Sequence, residues 1–208
     1  MADISQIKLP NNTVLDIKDA VARNGLDSKA DKADTILDTT LSRGRLSGST
    51  VGAASFAFGA DVTASGQNSH AEGYGTTASN PNAHAEGGTT TASGINSHAE
   101  GAGTTADGQN SHAEGSGTTA SGSCAHAEGG GTTASSTSSH AEGGGSRAIG
   151  DYSHAEGGGT TASGPSSHAE GGNTTASGDF SHAEGCGTIA NHKSQHVFGE
   201  YNAEDPSV

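Results

Sequence analysis

Histidine recurs every 14 residues along most of this chain, and this fixed spacing constrains the fold more than any other feature. The ten histidines of the series are His70, His84, His98, His112, His126, His140, His154, His168, His182 and His196. Glutamate follows two residues after each of the first nine, and the repeat between residues 56 and 199 has the consensus SHAEGxGTTASGxx. A disordered chain has no physical reason to keep one phase over ten periods. Each repeat is therefore one structural unit that stacks on its neighbours.

The composition limits what kind of stack this can be. Leu, Ile, Val and Phe together account for 23 of the 208 residues, glycine accounts for 34, and the formal net charge is −14. So little apolar surface cannot offset the chain entropy through an ordinary globular core. Without the repeat, this composition would be typical of an intrinsically disordered chain. No run of about 18 apolar residues occurs, so no membrane span is expected.

Fourteen residues suit one coil of a narrow parallel β-solenoid with two short strands and two turns. Helical repeats need a 3.6-residue apolar period and collagen needs glycine at every third position, and neither pattern is present. In the coil that contains His70, the predicted strands are residues 69–73 and 76–79, with turns at the glycine-rich positions. About eleven coils spaced at about 4.8 Å would stack to roughly 50 Å. The predicted fold class is therefore an all-β parallel solenoid.

Alternation along each strand predicts which side chains point inward. We expect Ser69, Ala71 and Gly73 to line the lumen, because a 14-residue coil leaves room for small side chains only. His70 and Glu72 then project outward from one sheet. In the second strand of each coil, Thr and Ala point inward, and a row of Thr and Ser points outward.

The outward row of histidine and glutamate, here called the His–Glu face, is predicted to be an interface between copies of the chain. Phe56 and Phe58 replace His and Glu in the first coil, and Phe198 replaces Glu in the last. A phenylalanine at both ends of one outward row is not expected to face water. The predicted homotrimer interface comprises Phe56, Phe58, His70, Glu72, His98, Glu100, His126, Glu128, His154, Glu156, His182, Glu184 and Phe198.

The repeat resembles a known family. The pattern N-S-x-A-x-G-x-G-x-x-A-x-G is similar to the head repeats of trimeric autotransporter adhesins. This resemblance implies a homotrimer of left-handed parallel β-rolls. Those heads carry aliphatic residues at the two variable positions of S-x-A-x-G, whereas this chain carries His and Glu. The resemblance therefore implies the same fold with a different chemistry at the interface.

The SHAEG form of the repeat looks like that of phage and prophage tail-fibre or appendage proteins from gut Firmicutes. The segments that carry this second resemblance are DVTASG (61–66), HKSQHVFGEYN (192–202) and ISQIKLPNNTVLDIKDAVAR (4–23). It implies a structural and adhesive shaft in the virion that contacts other tail proteins through its N-terminal region and a receptor on the host surface. The alternative is the head of a bacterial surface adhesin. No Sec-type signal peptide is visible, and Cys124 and Cys186 are expected to be free thiols, so assembly in the bacterial cytoplasm is favoured.

Four regions are predicted along the chain. Residues 1–26 form an attachment region with a β-hairpin, whose strands (3–9 and 13–17) flank a Pro-Asn-Asn turn. Residues 27–54 form a short helix and a linker. Residues 55–200 are the solenoid shaft. Residues 201–208 are an exit segment, and the tail-protein resemblance implies that a further domain follows it.

Enzymatic activity is not predicted for the Ser-His-Glu repeat. Ser69 and His70 are adjacent in a strand and therefore point to opposite faces, so a hydrolase triad cannot form. The H-x-E motif is half of the zinc deaminase signature, but the P-C-x-x-C half is missing. Nucleic acid is not an expected partner, because residues 55–200 carry a net charge of −12 with Arg147 and Lys193 as their only bases.

Metal binding is the main alternative to a structural role for the nine histidines from His70 to His182. Three imidazoles around a threefold axis could chelate adventitious Zn²⁺ or Ni²⁺. We expect no cofactor, and we favour a ladder of His–Glu hydrogen bonds between subunits. A neighbouring carboxylate is predicted to raise the pKa of each imidazole. The outward Thr and Ser row leaves ice binding as a remote alternative.

Overall fold

The structure is a computed structural model that describes residues 6–8, 14–16 and 52–201. In the N-terminal unit, strands β1 (Gln6–Lys8) and β2 (Val14–Asp16) pair antiparallel, with Ile7 opposite Leu15. The predicted helix and most of the predicted linker (27–51), like the exit segment from residue 202, lie outside the described residues. No helix long and apolar enough to cross a membrane occurs among the residues described.

The second unit is a solenoid in which five-residue and two-residue strands alternate. The five-residue strands are β3 (Phe56–Ala60), β5 (His70–Tyr74), β7 (His84–Gly88), β9 (His98–Ala102), β11 (His112–Ser116), β13 (His126–Gly130), β15 (His140–Gly144), β17 (His154–Gly158), β19 (His168–Gly172), β21 (His182–Cys186) and β23 (His196–Glu200). The two-residue strands are β4 (Thr63–Ala64), β6 (Thr77–Ala78), β8 (Thr91–Ala92), β10 (Thr105–Ala106), β12 (Thr119–Ala120), β14 (Thr133–Ala134), β16 (Arg147–Ala148), β18 (Thr161–Ala162), β20 (Thr175–Ala176) and β22 (Ile189–Ala190).

In the solenoid, each strand pairs in parallel with the equivalent strand of the next coil, one repeat along the chain. The eleven five-residue strands form one sheet and the ten two-residue strands form the other. His112 pairs with His126, and Thr105 pairs with Thr119, both 14 residues apart. The prediction of an all-β parallel solenoid with 14-residue coils is confirmed. Its left-handed sense stays a prediction.

Small side chains fill the lumen between the two sheets. Ala71, Thr76 and Ala78 have no exposed surface, and Ser69 is 2% exposed. The Ser69 hydroxyl donates a hydrogen bond to the carbonyl oxygen of Gly66 at 2.8 Å, which satisfies one buried polar group within the coil. The predicted inward positions of Ser, Ala and Thr are confirmed, and hydrogen-bonded coils take the place of a bulky apolar core.

The glycine that follows each glutamate does not line the lumen, so the prediction for Gly73 is wrong. Gly73 is exposed and has φ +115°, a conformation that side chains rarely adopt. A Cβ built there would lie 2.0 Å from the carbonyl oxygen of Gly87 in the next coil. Glycine is therefore needed for close stacking of the backbones and not for filling the interior.

The turn that leads into each histidine strand contains a residue with a left-handed backbone conformation. Asn68, Asn82, Asn96 and Asn110 occupy this position with φ of 56–58°, which asparagine tolerates well. Their side-chain amides form a ladder, in which the Nδ2 of each of the first three donates to the Oδ1 of the asparagine in the next coil at 2.9–3.3 Å. Cys124 occupies the same turn position in the next coil, with the same backbone conformation, and is a free thiol. The turn thus holds successive histidine strands in the same register.

The narrow lumen predicts a large difference between two Ala→Leu substitutions. Ala127 is fully buried, so Ala127→Leu forces three extra carbon atoms into a closed space and should lower the free energy of unfolding by about 1–3 kcal/mol or more. Ala102 is exposed at the end of its strand, and Ala102→Leu is the matched control with little expected effect. Urea unfolding followed by circular dichroism measures both. Equal destabilisation would contradict the tight lumen.

Candidate functional site

The His–Glu face is produced by strand alternation around a buried alanine. In β5, Ala71 points into the lumen, so His70 and Glu72 on either side of it point outward. Their side chains are 39% and 44% exposed, and the equivalent pairs in later coils are covered slightly more. Because pairing is in register, the histidines form one row and the glutamates form a parallel row.

The histidine row is a continuous stack of ten imidazole rings. Successive ring centroids from His70 to His196 lie 4.5–4.8 Å apart, and their planes differ by 2–13°. This separation follows from the spacing of neighbouring strands. Phe56 closes one end, with its ring edge-on to His70 at 4.9 Å. The stack places ten titratable groups side by side.

Nine of the ten imidazoles, all except His154, lie within 4.0 Å of a carboxylate, but the contacts are long. The distance from His Nε2 to Glu Oε2 is 3.4 Å in the pair His70–Glu72 and reaches 4.0 Å in His140–Glu142. Further along, His182 also lies 3.6 Å from Glu170 of the preceding coil. The Nε2 atoms of the nine histidines from His70 to His182 are shielded from solvent, and none has a hydrogen-bond partner in the described part of the chain. One copy alone therefore leaves the donors of this face unsatisfied.

Within a single copy, the predicted rise in histidine pKa does not occur for six members of the row. Their pKa values are lowered, chiefly because partial burial disfavours the charged imidazole, and next because neighbouring imidazoles would carry the same charge. The attraction of nearby glutamates is smaller than these two effects together. The six are His84, His98, His126, His140, His154 and His168.

The glutamate row contains carboxyl groups that share protons. Hydrogen bonds with Glu170 and Glu142 raise the pKa of Glu156 to about 7. The same contacts lower the pKa of Glu142 and Glu170, which accept from a protonated Glu156. The sequence analysis missed these contacts between like residues. The strict repeat could have indicated these contacts, because parallel pairing of identical coils places each residue beside its equivalent in the next coil.

Histidines and glutamates of neighbouring coils lie close enough together to be weighed as metal ligands. Donor atoms of His140, Glu142 and His154 lie within 4.8 Å of one another. Zinc needs both nitrogens at about 2.0–2.1 Å, which limits their separation to about 4.2 Å. The rings of His140 and His154 are parallel within 2° at 4.7 Å, so their nitrogens point side by side. The stack therefore places neighbouring imidazoles one strand spacing apart, with one imidazole in each coil.

Phenylalanine side chains are exposed at both ends of the glutamate row. Phe58 pairs with Glu72 and is 50% exposed, and Phe198 pairs with Glu184 and is 72% exposed. The residues predicted for the trimer interface thus lie along one sheet. By contrast, Ser69 is buried on the opposite side of its strand from His70, so the structure does not bring a serine and a histidine together there.

The fold and this face define the class of protein: a β-solenoid repeat protein with 14-residue coils and one sheet lined by histidine and glutamate. No protein-family model matches the chain, and no curated protein shows significant sequence similarity to it.

Proposed function

We propose that this protein is the structural and adhesive shaft of a phage tail fibre or related host-recognition appendage, and that three copies join through the His–Glu face. The observation that carries this proposal is the incomplete state of that face in one copy. It combines shielded Nε2 atoms that lack hydrogen-bond partners with exposed phenylalanines at both ends. A buried polar group without a partner is costly, so assembly is favoured when contact with a second copy turns the imidazoles toward carboxylates of that copy.

Copies of the same chain suit this face because its donors and acceptors repeat with one spacing. The imidazoles recur every 4.5–4.8 Å, and the glutamates recur in the same register. A neighbouring copy offers carboxylates at the same spacing, so every coil finds a partner once one coil is aligned. Phe58 then packs against Phe58 of the other copies at one end of the interface, and Phe198 packs against Phe198 of the other copies at the opposite end. Three copies, and not two, are proposed from the resemblance to trimeric autotransporter heads.

A shaft role fits a stack of short coils held by backbone hydrogen bonds. Eleven coils at about 4.8 Å span roughly 50 Å, with a lumen of small side chains and no large apolar core. Exposed aromatic residues at the coil edges, Tyr74, Tyr152 and Phe180, are the side chains that a host-surface receptor could contact. The N-terminal region is proposed to dock to other tail proteins.

The oligomeric state gives the first test of this proposal. Sedimentation equilibrium at pH 6.5 should give a mass near 61 kDa, which is three chains of 20.2 kDa. A species of one chain mass over the whole concentration range would contradict assembly through the His–Glu face.

Antibodies against residues 55–200 distinguish a phage tail protein from a cell-surface adhesin. We expect labelled phage tails, whereas label on the cell envelope would indicate a surface adhesin.

A further inference from the structure

We infer that assembly through the His–Glu face takes up protons, so that the oligomer is strengthened at mildly acidic pH and weakened at alkaline pH. This inference rests on the proposed oligomer and concerns how that same interface is regulated.

The described His–Glu face holds ten histidines, nine glutamates and no lysine or arginine. Groups that pack against it from inside the coil are Ser, Ala and Thr, which do not titrate at these pH values. Its neighbours along the sheet are further His and Glu, and its ends are Phe56, Phe58 and Phe198. Glu200 lies beyond Phe198, and Arg147 belongs to the other sheet. With neutral imidazoles and every glutamate ionised, the face therefore carries a charge of −9 in each copy.

Three such faces cannot be buried together without compensation, because buried carboxylates need partners. One proton for each His–Glu pair removes the net charge. The proton can sit on the imidazole, which makes an ion pair with the nearby carboxylate, 3.4–4.0 Å away within a coil. It can also be shared between carboxyl groups, as Glu142, Glu156 and Glu170 show.

The protons come from solution when the copies assemble. In a separate copy, burial and the neighbouring imidazoles lower the pKa values of six histidines, His98 and His154 among them, so these six are largely neutral at pH 7. Assembly brings in more carboxylates and raises those pKa values. A group whose pKa is raised in the assembled state stabilises it at low pH and stops doing so as pH rises through the raised value. Association should therefore weaken from about pH 6 upward.

Strong acid should weaken association again. Once the glutamates are protonated, below their ordinary pKa of about 4.5, the ten imidazoles keep their charge without any carboxylate beside them. Their rings are only 4.5–4.8 Å apart, so the positive charges repel each other. The expected optimum lies between these two limits, at about pH 5–6.

The test is sedimentation equilibrium of the full chain at pH 5.5, 6.5, 7.5 and 8.5. Uptake of one or more protons per oligomer predicts an association constant that falls at least about tenfold per pH unit above pH 6. The variant Glu142→Gln/Glu156→Gln/Glu170→Gln removes three acids from the face, and we expect a shallower fall and tighter association at pH 8.5. Asp61→Asn/Asp151→Asn/Asp179→Asn removes three acids elsewhere and should keep the wild-type slope.

The outcomes separate this inference from the proposed function. A trimer whose association constant is the same from pH 5.5 to 8.5, or larger at alkaline pH, overturns proton uptake and leaves the oligomer intact. A single chain at every pH refutes the oligomer itself. Where the trimer is too tight to dissociate on dilution, the urea concentration at which it dissociates is measured at the same four pH values.

Discussion

Gly129→Ala is expected to lower the free energy of unfolding by about 3 kcal/mol or more, whereas Gly130→Ala beside it should change it by less than about 1 kcal/mol. Gly129 has φ +103°, and a Cβ there would lie 2.2 Å from the carbonyl oxygen of Gly143 in the next coil. The two backbones cannot move apart without breaking hydrogen bonds of the parallel sheet. At Gly130 an added Cβ meets no atom within 4 Å.

Thermal and urea unfolding of the two variants provide the measurement. Because the substitutions are chemically identical and adjacent in β13, any difference reports local geometry and not helix or strand propensity. If the two variants were equally stable, close backbone stacking could not be the reason for glycine at position 129. The repeated glycine after each glutamate would then need another explanation.

The triple variant His98→Glu/His112→Glu/His126→Glu is expected to reduce the association constant at pH 7 by at least about 100-fold. These residues are consecutive in the imidazole stack, and each replacement adds a carboxylate to a face that already holds a glutamate in every coil. Like charges placed together at an interface cost several kcal/mol, and about 1.4 kcal/mol corresponds to tenfold in affinity.

The matched control is Thr105→Glu/Thr119→Glu/Thr133→Glu, which adds the same three charges on the outward side of the other sheet. Those threonines lie in register in β10, β12 and β14, so repulsion among the three added charges themselves is comparable. The control should remain a trimer in sedimentation equilibrium. Dissociation of the control, or an intact trimer of the histidine variant, would place the interface elsewhere.

Much of the coil could be predicted from the residues because their period is short and strict. A 14-residue repeat allows two strands and two turns, and alternation then assigns Ala71 to the lumen and His70 to the surface, as the structure shows. The prediction failed for Gly73, because alternation assumes an extended backbone and this residue has a left-handed one. Periodicity by itself carries no information about φ.

The electrostatics of the face could not be predicted in the same way. The His–Glu repeat predicted pairing between subunits and a raised imidazole pKa. In the structure each of the six imidazoles with a lowered pKa, such as His84 and His140, is covered by its equivalents above and below, and the cost of burial outweighs the attraction of the glutamates. The strongest neighbours of each side chain are therefore 14 residues away and not two.

The sequence alone determined the period, the coil and the side of the sheet on which each residue lies, because strand alternation and parallel pairing follow from local rules. Only the tertiary structure decided the distances between equivalent side chains of neighbouring coils. The spacing of neighbouring strands brings identical side chains to 4.5–4.8 Å, which stacks the imidazoles and lets Glu156 share a proton with its neighbours. Those distances arise from the stacking of successive coils, and no single repeat contains them.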